Sequence, residues 1–185
     1  DELVRRGNGI ANDLLEMLSS KSLAETQQTE MLHTWTLWAL GRIALDQPNL
    51  DQPNLNQLFE QILARENPND EAMIFNQRLQ AIRILAFRSR EAKVPRSLPV
   101  GVIDALNDPH SRIRFEAVQA LMQTKQKQYV PQLLKAIAKE QDPAIYYVAW
   151  KTLQALCTRE ELRKVQSDSR DAVRRGALLA LLESH

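Results

Sequence analysis

Residues 107–122 read NDPHSRIRFEAVQALM, and this stretch decides the fold. The opening Asn-Asp-Pro favours a turn, because Asp bonds the backbone ahead of it and Pro109 fixes φ and lacks a donor. Ser111 stands where a helix N-cap is expected. Apolar side chains then recur at helical spacing, at Ile113, Ala117, Val118 and Leu121. The stretch therefore predicts a turn followed by an amphipathic helix.

The same pattern returns along the chain. Ile/Val-x-x-x-Ala-x-x-x-Leu occurs at 113–121, 145–153 and 173–181, and looser copies end at Leu40 and Leu85. The five anchor leucines are separated by 45, 36, 32 and 28 residues, and they are Leu40, Leu85, Leu121, Leu153 and Leu181. These spacings lie in the range of helical repeats. A shorter apolar segment precedes each anchor, so the predicted unit is helix, turn, helix, about five times.

Composition agrees with an all-α protein. Hydrophobic residues make up 44% of the 185 and charged residues 25%, which suffices for a core and a solvated surface. Gly is scarce and strand-like alternation is absent, so helices are the only class that fits. No apolar run reaches membrane-spanning length. One domain over 1–185 is expected.

The Asp-Pro turn, the Arg one place after the first apolar residue, and the Ala and Leu anchors together resemble HEAT repeats. The residues that carry the likeness best are Asp108, Pro109, Ile113, Arg114, Ala117 and Leu121. In the next copy Tyr146 replaces the Arg, and the last copy lacks the Pro. The resemblance implies an α-α superhelix of about five helical hairpins, regular over 98–185 and diverged over 1–88.

Charge is unevenly distributed. The net charge is +1, so no bulk electrostatic argument for nucleic acid exists. Residues 1–92 hold 9 Lys/Arg and 13 Asp/Glu, whereas residues 93–185 hold 15 and 10. The second half is therefore modestly basic, which is typical of a solvated face and leaves a partner-binding role open.

Four local features give further expectations. Trp35 and Trp38 are three residues apart, which favours burial of both in the core, with an exposed anchoring role for Trp35 as the alternative. Asp-Gln-Pro-Asn-Leu occurs twice in tandem at 46–55, which predicts a duplication within a surface loop. Residues 89–97 read as a basic linker. Both ends of the chain read as helix, so a piece of a longer protein is expected.

We found no catalytic constellation in the sequence. The three histidines, His33, His110 and His185, are far apart, and no Cys/His spacing suits zinc. None of the five glycines forms a phosphate loop. The single cysteine, Cys157, reads as a small buried hydrophobe. We therefore expect no cofactor, no metal and no enzymatic activity.

The expected binding surface follows from the resemblance, since the second helix of each HEAT hairpin lines the concave side. The residues one place after the first apolar residue of each anchor helix are His33, Arg78, Arg114, Tyr146 and Arg174. Such a row could bind an acidic peptide or phosphates. The alternative is structural, with each Arg paired to a turn carboxylate such as Asp108 or Asp142. Of Tyr146 and Tyr147, one is expected to be exposed, because adjacent helical residues do not share a face.

Three functions remain open. The first is a non-catalytic protein–protein interaction scaffold, whose partner is another protein or a neighbouring domain of the same chain. The second is nucleic-acid binding, which the likeness to HEAT-like DNA alkylation-repair glycosylases suggests but the charge disfavours.

The third function is that of a spacer. Residues 33–40, HTWTLWAL, resemble the HEAT part of large secreted bacterial proteins with a dehydrogenase-like propeller and a c-type cytochrome. That likeness implies the spacer and docking region of an exported redox protein. The sequence does not indicate the compartment; the default expectation is the cytoplasm, and the third function implies a periplasmic or exported protein. Exposed terminal apolar faces are expected to favour self-association.

Overall fold

The structure, a computed structural model, describes residues 13–14, 17, 27–46, 52–64, 71–91 and 97–183. The described residues form α-helices and two short 3-10 helices, and they contain no strand, which confirms the all-α prediction. The α-helices are α1 (Gln27–Asp46), α2 (Gln52–Leu63), α3 (Glu71–Glu91), α4 (Val100–Asp104), α5 (Ser111–Thr124), α6 (Val130–Lys139), α7 (Pro143–Leu156), α8 (Arg159–Val165) and α9 (Asp171–Leu182). The apolar segment that precedes the first anchor, residues 10–18, was predicted to be a helix, and most of it lies outside the described residues.

The chain forms two compact units, Asp1–Gly101 and Val102–His185, called unit 1 and unit 2 below. The helix α4 contributes its first residues to unit 1 and its last to unit 2. The expectation of one domain with a diverged part over 1–88 stays a prediction.

In unit 1, α3 is the central helix and packs against both α1 and α2. Leu40 of α1, Phe59 of α2 and Leu85 of α3 are buried in this core. Gly41 lies where α1 approaches α3, and a Cβ atom there would overlap the Cγ2 methyl of Ile84. The absence of a side chain at Gly41 therefore allows the close packing of these two helices.

Two expectations in unit 1 were wrong. The second copy of the Asp-Gln-Pro-Asn-Leu duplication is not a loop: Gln52 begins α2, and Leu55 is fully buried. Pro53 is tolerated because the first turn of a helix needs no backbone donor. Trp35 is not a core residue, since 68% of it is exposed, whereas Trp38 is half-buried, donates from Nε1 to Gln80 Oε1 at 3.1 Å and packs against Phe87.

Unit 2 contains three successive helical hairpins. The 3-10 helix Ala105–Asn107 continues α4, and this segment pairs with α5; α6 pairs with α7, and α8 with α9. The second helices α5, α7 and α9 stack in chain order. The anchors Leu121 and Leu153 are fully buried, as the repeat pattern predicts, while Leu181 on the last helix is half-buried.

The start of α5 differs from the expectation. Ser111 is the first helical residue and not the N-cap, because His110 occupies the cap position without a side-chain hydrogen bond. The carboxylate of Asp108 accepts from His110 N–H at 2.9 Å instead. In the next hairpin, the corresponding Asp142 is the N-cap of α7, and its carboxylate accepts from the N–H groups of Ala144 and Ile145. The Asp of the turn is the N-cap of α7 but lies two residues before the N-cap of α5, because Pro109 and His110 both precede that helix whereas Pro143 is the first residue of α7.

Candidate functional site

The three second helices of unit 2 share one register. The first buried residue of each is Ile113 in α5, Ile145 in α7 and Val173 in α9. Counting from that residue, the predicted binding row occupies position +1 and consists of Arg114, Tyr146 and Arg174. His33 and Arg78, the other members of the predicted set, lie in unit 1.

Arg114 joins its own hairpin to the next one. Its Nε and Nη2 donate to the two carboxylate oxygens of Glu140 at 2.8 and 2.9 Å, a bidentate pair. Its Nη1 donates to the backbone carbonyls of Asp108 and Pro109. Glu140, whose side chain is 4% exposed, also accepts from the backbone N–H groups of Gln141 and Asp142.

These contacts determine the charge state of the Arg114–Glu140 pair. Burial would by itself raise the pKa of the Glu140 carboxyl, but the hydrogen bonds from Arg114, Asp142 and Gln141 outweigh it and lower that pKa. The hydrogen bonds from Arg114 to Glu140 raise the pKa of Arg114. Both groups are therefore ionised near neutral pH, and the pair acts as a charged clamp between hairpins.

Arg174 forms the same kind of hydrogen bonds to backbone carbonyls as Arg114 does. Its Nη1 donates to the carbonyls of Asp168 and Ser169 at 2.9 Å, which are six and five residues earlier, as Asp108 and Pro109 are for Arg114. Its Nη2 pairs with Asp171. In unit 1, Arg78 donates from Nε to the carbonyl of Leu63 at the end of α2. A cation at position +1 thus binds carbonyls where the preceding helix or turn ends.

The two other members of the predicted set also bond within the protein. Tyr146 donates from its hydroxyl to the carbonyl of Ala172 in the first turn of α9 at 2.7 Å, and burial raises its pKa. His33 accepts at Nδ1 from the amide of Gln77 at 3.2 Å, in the tautomer that leaves Nδ1 unprotonated. All five side chains therefore bond within the protein: Arg174 bonds its own turn and helix, and the other four bond a neighbouring helix or hairpin. Binding of a partner by them stays a prediction, and the carboxylate partner of Arg114 is Glu140 instead of Asp108 or Asp142.

Positions +2, +6 and +9 of the second helices carry side chains that are half-buried or exposed. With 100° per residue these positions fall within about 60° of one another. On α5 and α7 they are called the second-helix face here, and they are Phe115, Gln119, Met122, Tyr147, Lys151 and Gln154. None of the six is buried. Sequence reasoning chose position +1 and missed this face, although the adjacent pair Tyr146-Tyr147 indicated that one tyrosine would be exposed.

Tyr147 is that exposed tyrosine, with 51% of its surface accessible. Its ring stands edge-on against Trp150, with centroids 5.1 Å apart and planes at 82°. The Lys151 ammonium lies 5.0 Å from the centroid of the Trp150 ring and pairs with Glu183, the residue that follows α9. The aromatic ring is thus held by a packed neighbour and remains accessible, which is the character of an interface anchor.

The first helices of unit 2 carry a different surface. Five exposed cations there have no ion-pair partner among the described residues: Lys135, Lys139, Arg159, Arg163 and Lys164. Most cations of the second helices do have one, namely Arg114, Lys151, Arg174 and Arg175. The positive charge of unit 2 is therefore least compensated on its first helices.

The described residues contain no group of three or more His, Cys, Asp or Glu side chains that could hold a metal ion. Cys157 is half-buried at the end of α7, and burial raises the pKa of its thiol, so little thiolate forms at neutral pH. A cleft of about 320 Å³ opens beside Arg114 and Glu140, but these two groups bond each other.

The comparison with protein families gives one result. The family model described as HEAT repeats matches residues 55–156, more than half of the chain. No curated protein matches the sequence. Among the described residues, no helix combines the length and apolar character that crossing a membrane requires.

Proposed function

Because the chain belongs to the HEAT-repeat family, whose repeats are commonly protein-interaction scaffolds, we propose that it is a non-catalytic scaffold that binds a partner protein on the second-helix face. The anchor in this proposal is Tyr147. The stacked helices α5 and α7 supply the rigid support, since their register is fixed by the Arg114–Glu140 clamp and the buried anchors.

The observation that carries the proposal is the exposed, edge-packed ring of Tyr147. An aromatic residue that is already held in place loses little conformational freedom on binding, and Tyr is enriched among the residues that dominate interface energies. Phe115 and Met122 on the neighbouring helix extend the apolar area, and Gln119 and Lys151 supply polar groups at its border. This mixture fits a partner that presents an apolar segment flanked by polar groups.

The test uses a photo-cross-linking amino acid placed at position 147, with position 135 on the first helix α6 as the matched exposed control. We expect a discrete protein adduct from position 147 and none from position 135. The captured protein is then purified, and its affinity is measured for the chain and for Tyr147→Ala. The variant is expected to bind at least tenfold more weakly, while Lys135→Ala binds as the unchanged chain does. Equal adducts at both positions, or an unchanged affinity for Tyr147→Ala, would contradict the proposal.

Nucleic-acid binding is the second candidate, and it is favoured by the five exposed cations of α6 and α8 for which the described residues supply no ion-pair partner. They lie on first helices, whereas the likeness to DNA alkylation-repair proteins implies a groove lined by second helices. The affinity for duplex DNA at increasing salt decides between the candidates. Phosphate binding predicts a steep decrease with salt and a further loss in Lys135→Glu/Lys139→Glu. An affinity that does not depend on salt or on these lysines would exclude this candidate.

The reading as a spacer of an exported redox protein rests on residues 33–40 alone and stays a prediction. Leu37 and Leu40 of that segment are buried, so part of the likeness reflects core positions of α1. The sequence that flanks these 185 residues in the full gene product tests it directly. Propeller and cytochrome sequences on either side are expected under this reading, and their absence would contradict it.

A further inference from the structure

The two aromatic rings of the second-helix face lie side by side across α5 and α7. Position +2 is Phe115 on α5 and Tyr147 on α7, whereas position +6 is polar on both helices, as Gln119 and Lys151. Because α5 and α7 pack against each other, equivalent positions are separated by the distance between neighbouring helix axes, about 8–10 Å. A partner segment that contacts both rings therefore crosses the two helices at the level of position +2.

The polar groups beside these rings differ in whether they are already bonded. On α7, Lys151 pairs with Glu183, and the amide of Gln154 donates to the carbonyl of Ala180. On α5, the amide of Gln119 forms no hydrogen bond with any described residue. An extended segment matches such a group, because its backbone N–H and C=O groups have no internal partners. A helix bonds its own backbone and would leave the Gln119 amide without a partner.

The distance between the two rings selects the conformation of an extended segment. In the polyproline II helix, side chains three residues apart share a face and are about 9 Å apart. In a β-strand, the side chains that share a face are about 6.7 or about 13 Å apart, because they are two or four residues apart. Only the polyproline II spacing falls within the roughly 8–10 Å between neighbouring helix axes. Proline favours this conformation because its ring fixes φ, and such segments dock on aromatic side chains.

A cation lies at one end of the aromatic pair. Arg112 precedes Phe115 by about one turn of α5, so the two side chains are neighbours on the helix surface. Arg112 is exposed and has no ion-pair partner among the described residues. Second helices stack with position +5 of one against position +3 of the next, since a Cβ atom on Gly176 would lie 3.4 Å from the Trp150 Cβ. Arg112 lies one turn before position +3 of α5 and hence on the side away from α7. It is therefore beyond Phe115 as seen from Tyr147.

We propose that the partner of the second-helix face presents a proline-rich segment in the polyproline II conformation, which crosses α5 and α7. Two apolar residues of the segment, three apart and at least one of them proline, contact Phe115 and Tyr147. An acidic residue beyond the first of these contacts pairs with Arg112, and the Gln119 amide bonds the backbone of the segment. This inference rests on the proposed function, because it uses the same face and the same anchor, and it adds the class of partner.

The first test is selection from a display library of random peptides on the immobilised whole chain, followed by fluorescence anisotropy of the selected peptides. We expect peptides with two apolar residues three apart, enriched in proline, and an acidic residue on one side. They should bind Tyr147→Ala at least tenfold more weakly. Peptides that depend on Tyr147 but form an amphipathic helix or lack this spacing would overturn the inference and leave the proposed function intact. Selection of no peptide would also overturn the inference alone, whereas peptides that do not depend on Tyr147 would contradict both proposals.

The second test examines the two polar contacts with the selected peptide. Arg112→Glu is expected to weaken binding about fivefold, and a peptide with lysine in place of its acidic residue should restore the affinity. The matched control is Arg159→Glu in the first turn of α8, which changes the net charge equally and should leave both affinities unchanged. Gln119→Met retains the length of the side chain without the amide and should weaken binding about threefold or more. Circular dichroism confirms that each variant folds. Equal effects of the two arginine substitutions, no restoration by the lysine peptide, or unchanged binding by Gln119→Met would overturn the proposal.

Discussion

Single residues in unit 2 act mainly through the backbone groups that they satisfy. Arg114 and Arg174 bind the same two carbonyls of their own turns, and Asp108 and Asp168 accept from the N–H two residues ahead. The repeat pattern therefore preserves a local hydrogen-bonding unit, in which the cation completes the end of one helix and the acid organises the start of the next. Position +1, which the sequence predicted to form a binding row, instead bonds neighbouring turns and helices of the protein.

Lys125 has an unfavourable backbone conformation. It ends α5 in the left-handed region, with φ 52° and ψ 35°, and it is the one non-glycine residue with positive φ that the described residues contain. Glycine adopts this conformation without the steric cost that a Cβ atom brings. We expect Lys125→Gly to raise the free energy of unfolding by up to about 1 kcal/mol in urea denaturation.

The matched control for this substitution is Lys135→Gly, in the interior of α6, where glycine is a poor helix former. It is expected to lower the free energy of unfolding by about 1 kcal/mol. Both changes remove one exposed lysine, so a loss of charge alone predicts equal effects. Destabilisation by both would contradict the assignment of strain to Lys125.

The helix pair α1–α3 packs more closely than the pair α7–α9, as the surroundings of one glycine in each pair show. Gly41 lies against the branched side chain of Ile84 on α3, and a Cβ atom would overlap it. Gly176 of α9 faces Trp150 and Tyr146, and a Cβ atom there would meet the nearest neighbour at 3.4 Å, an ordinary van der Waals contact. The close α1–α3 packing thus depends on glycine, whereas the α7–α9 packing leaves room for a methyl group.

The same substitution at the two sites is expected to have opposite effects. Gly41→Ala forces Ile84 to shift and should lower the free energy of unfolding by about 1–3 kcal/mol. Gly176→Ala adds a good helix former in available space and should raise it by up to about 1 kcal/mol. Thermal and urea denaturation of the two variants measure this. A destabilised Gly176→Ala of equal size would show that α7 and α9 pack as closely as α1 and α3.

At the scale of the whole molecule, the carboxylates of unit 2 that pair with cations predict how stability depends on pH. The Lys127 ammonium and the Thr158 N–H hold the pKa of Glu161 at about 2, and Arg170 lowers the pKa of Asp168. The pKa of Glu140 is also lowered. Each group binds its proton less readily when folded than when unfolded. Its contribution is therefore complete above the unfolded pKa, which is 4.5 for Glu, and is lost as the pH falls through the folded pKa.

We expect the free energy of unfolding to be constant from neutral pH to about 5 and to decrease steadily toward pH 2. Urea denaturation at a series of pH values measures it. Glu161→Gln retains a side chain that can complete the N-terminal cap of α8 but loses the ion pair with Lys127. This variant should be less stable at pH 7 and should lose less stability on acidification. An identical pH dependence in the variant would show that Glu161 does not contribute.

The sequence alone determined the helices, their pairing and the repeat family. Helical periodicity with Asp-Pro turns predicted the hairpins of unit 2, because these signals are local and each hairpin must bury its apolar side against the next. Only the tertiary structure decided which polar side chains remain available. The position of a residue on a helix does not reveal whether a neighbouring hairpin supplies a hydrogen-bond partner. Arg114 donates to Glu140 of the next hairpin, and Tyr146 donates to the carbonyl of Ala172.

The exposed surfaces depend on the same packing. Tyr147 and Leu178 are apolar residues of helices whose periodicity resembles that of their buried neighbours, and both are exposed. Leu178 is exposed because its position is covered in α5 and α7 by a following helix that α9 lacks within the described part of unit 2. Periodicity identifies which side of a helix is apolar, but burial depends on what stands opposite, and that is a property of the packed helices and not of one sequence segment.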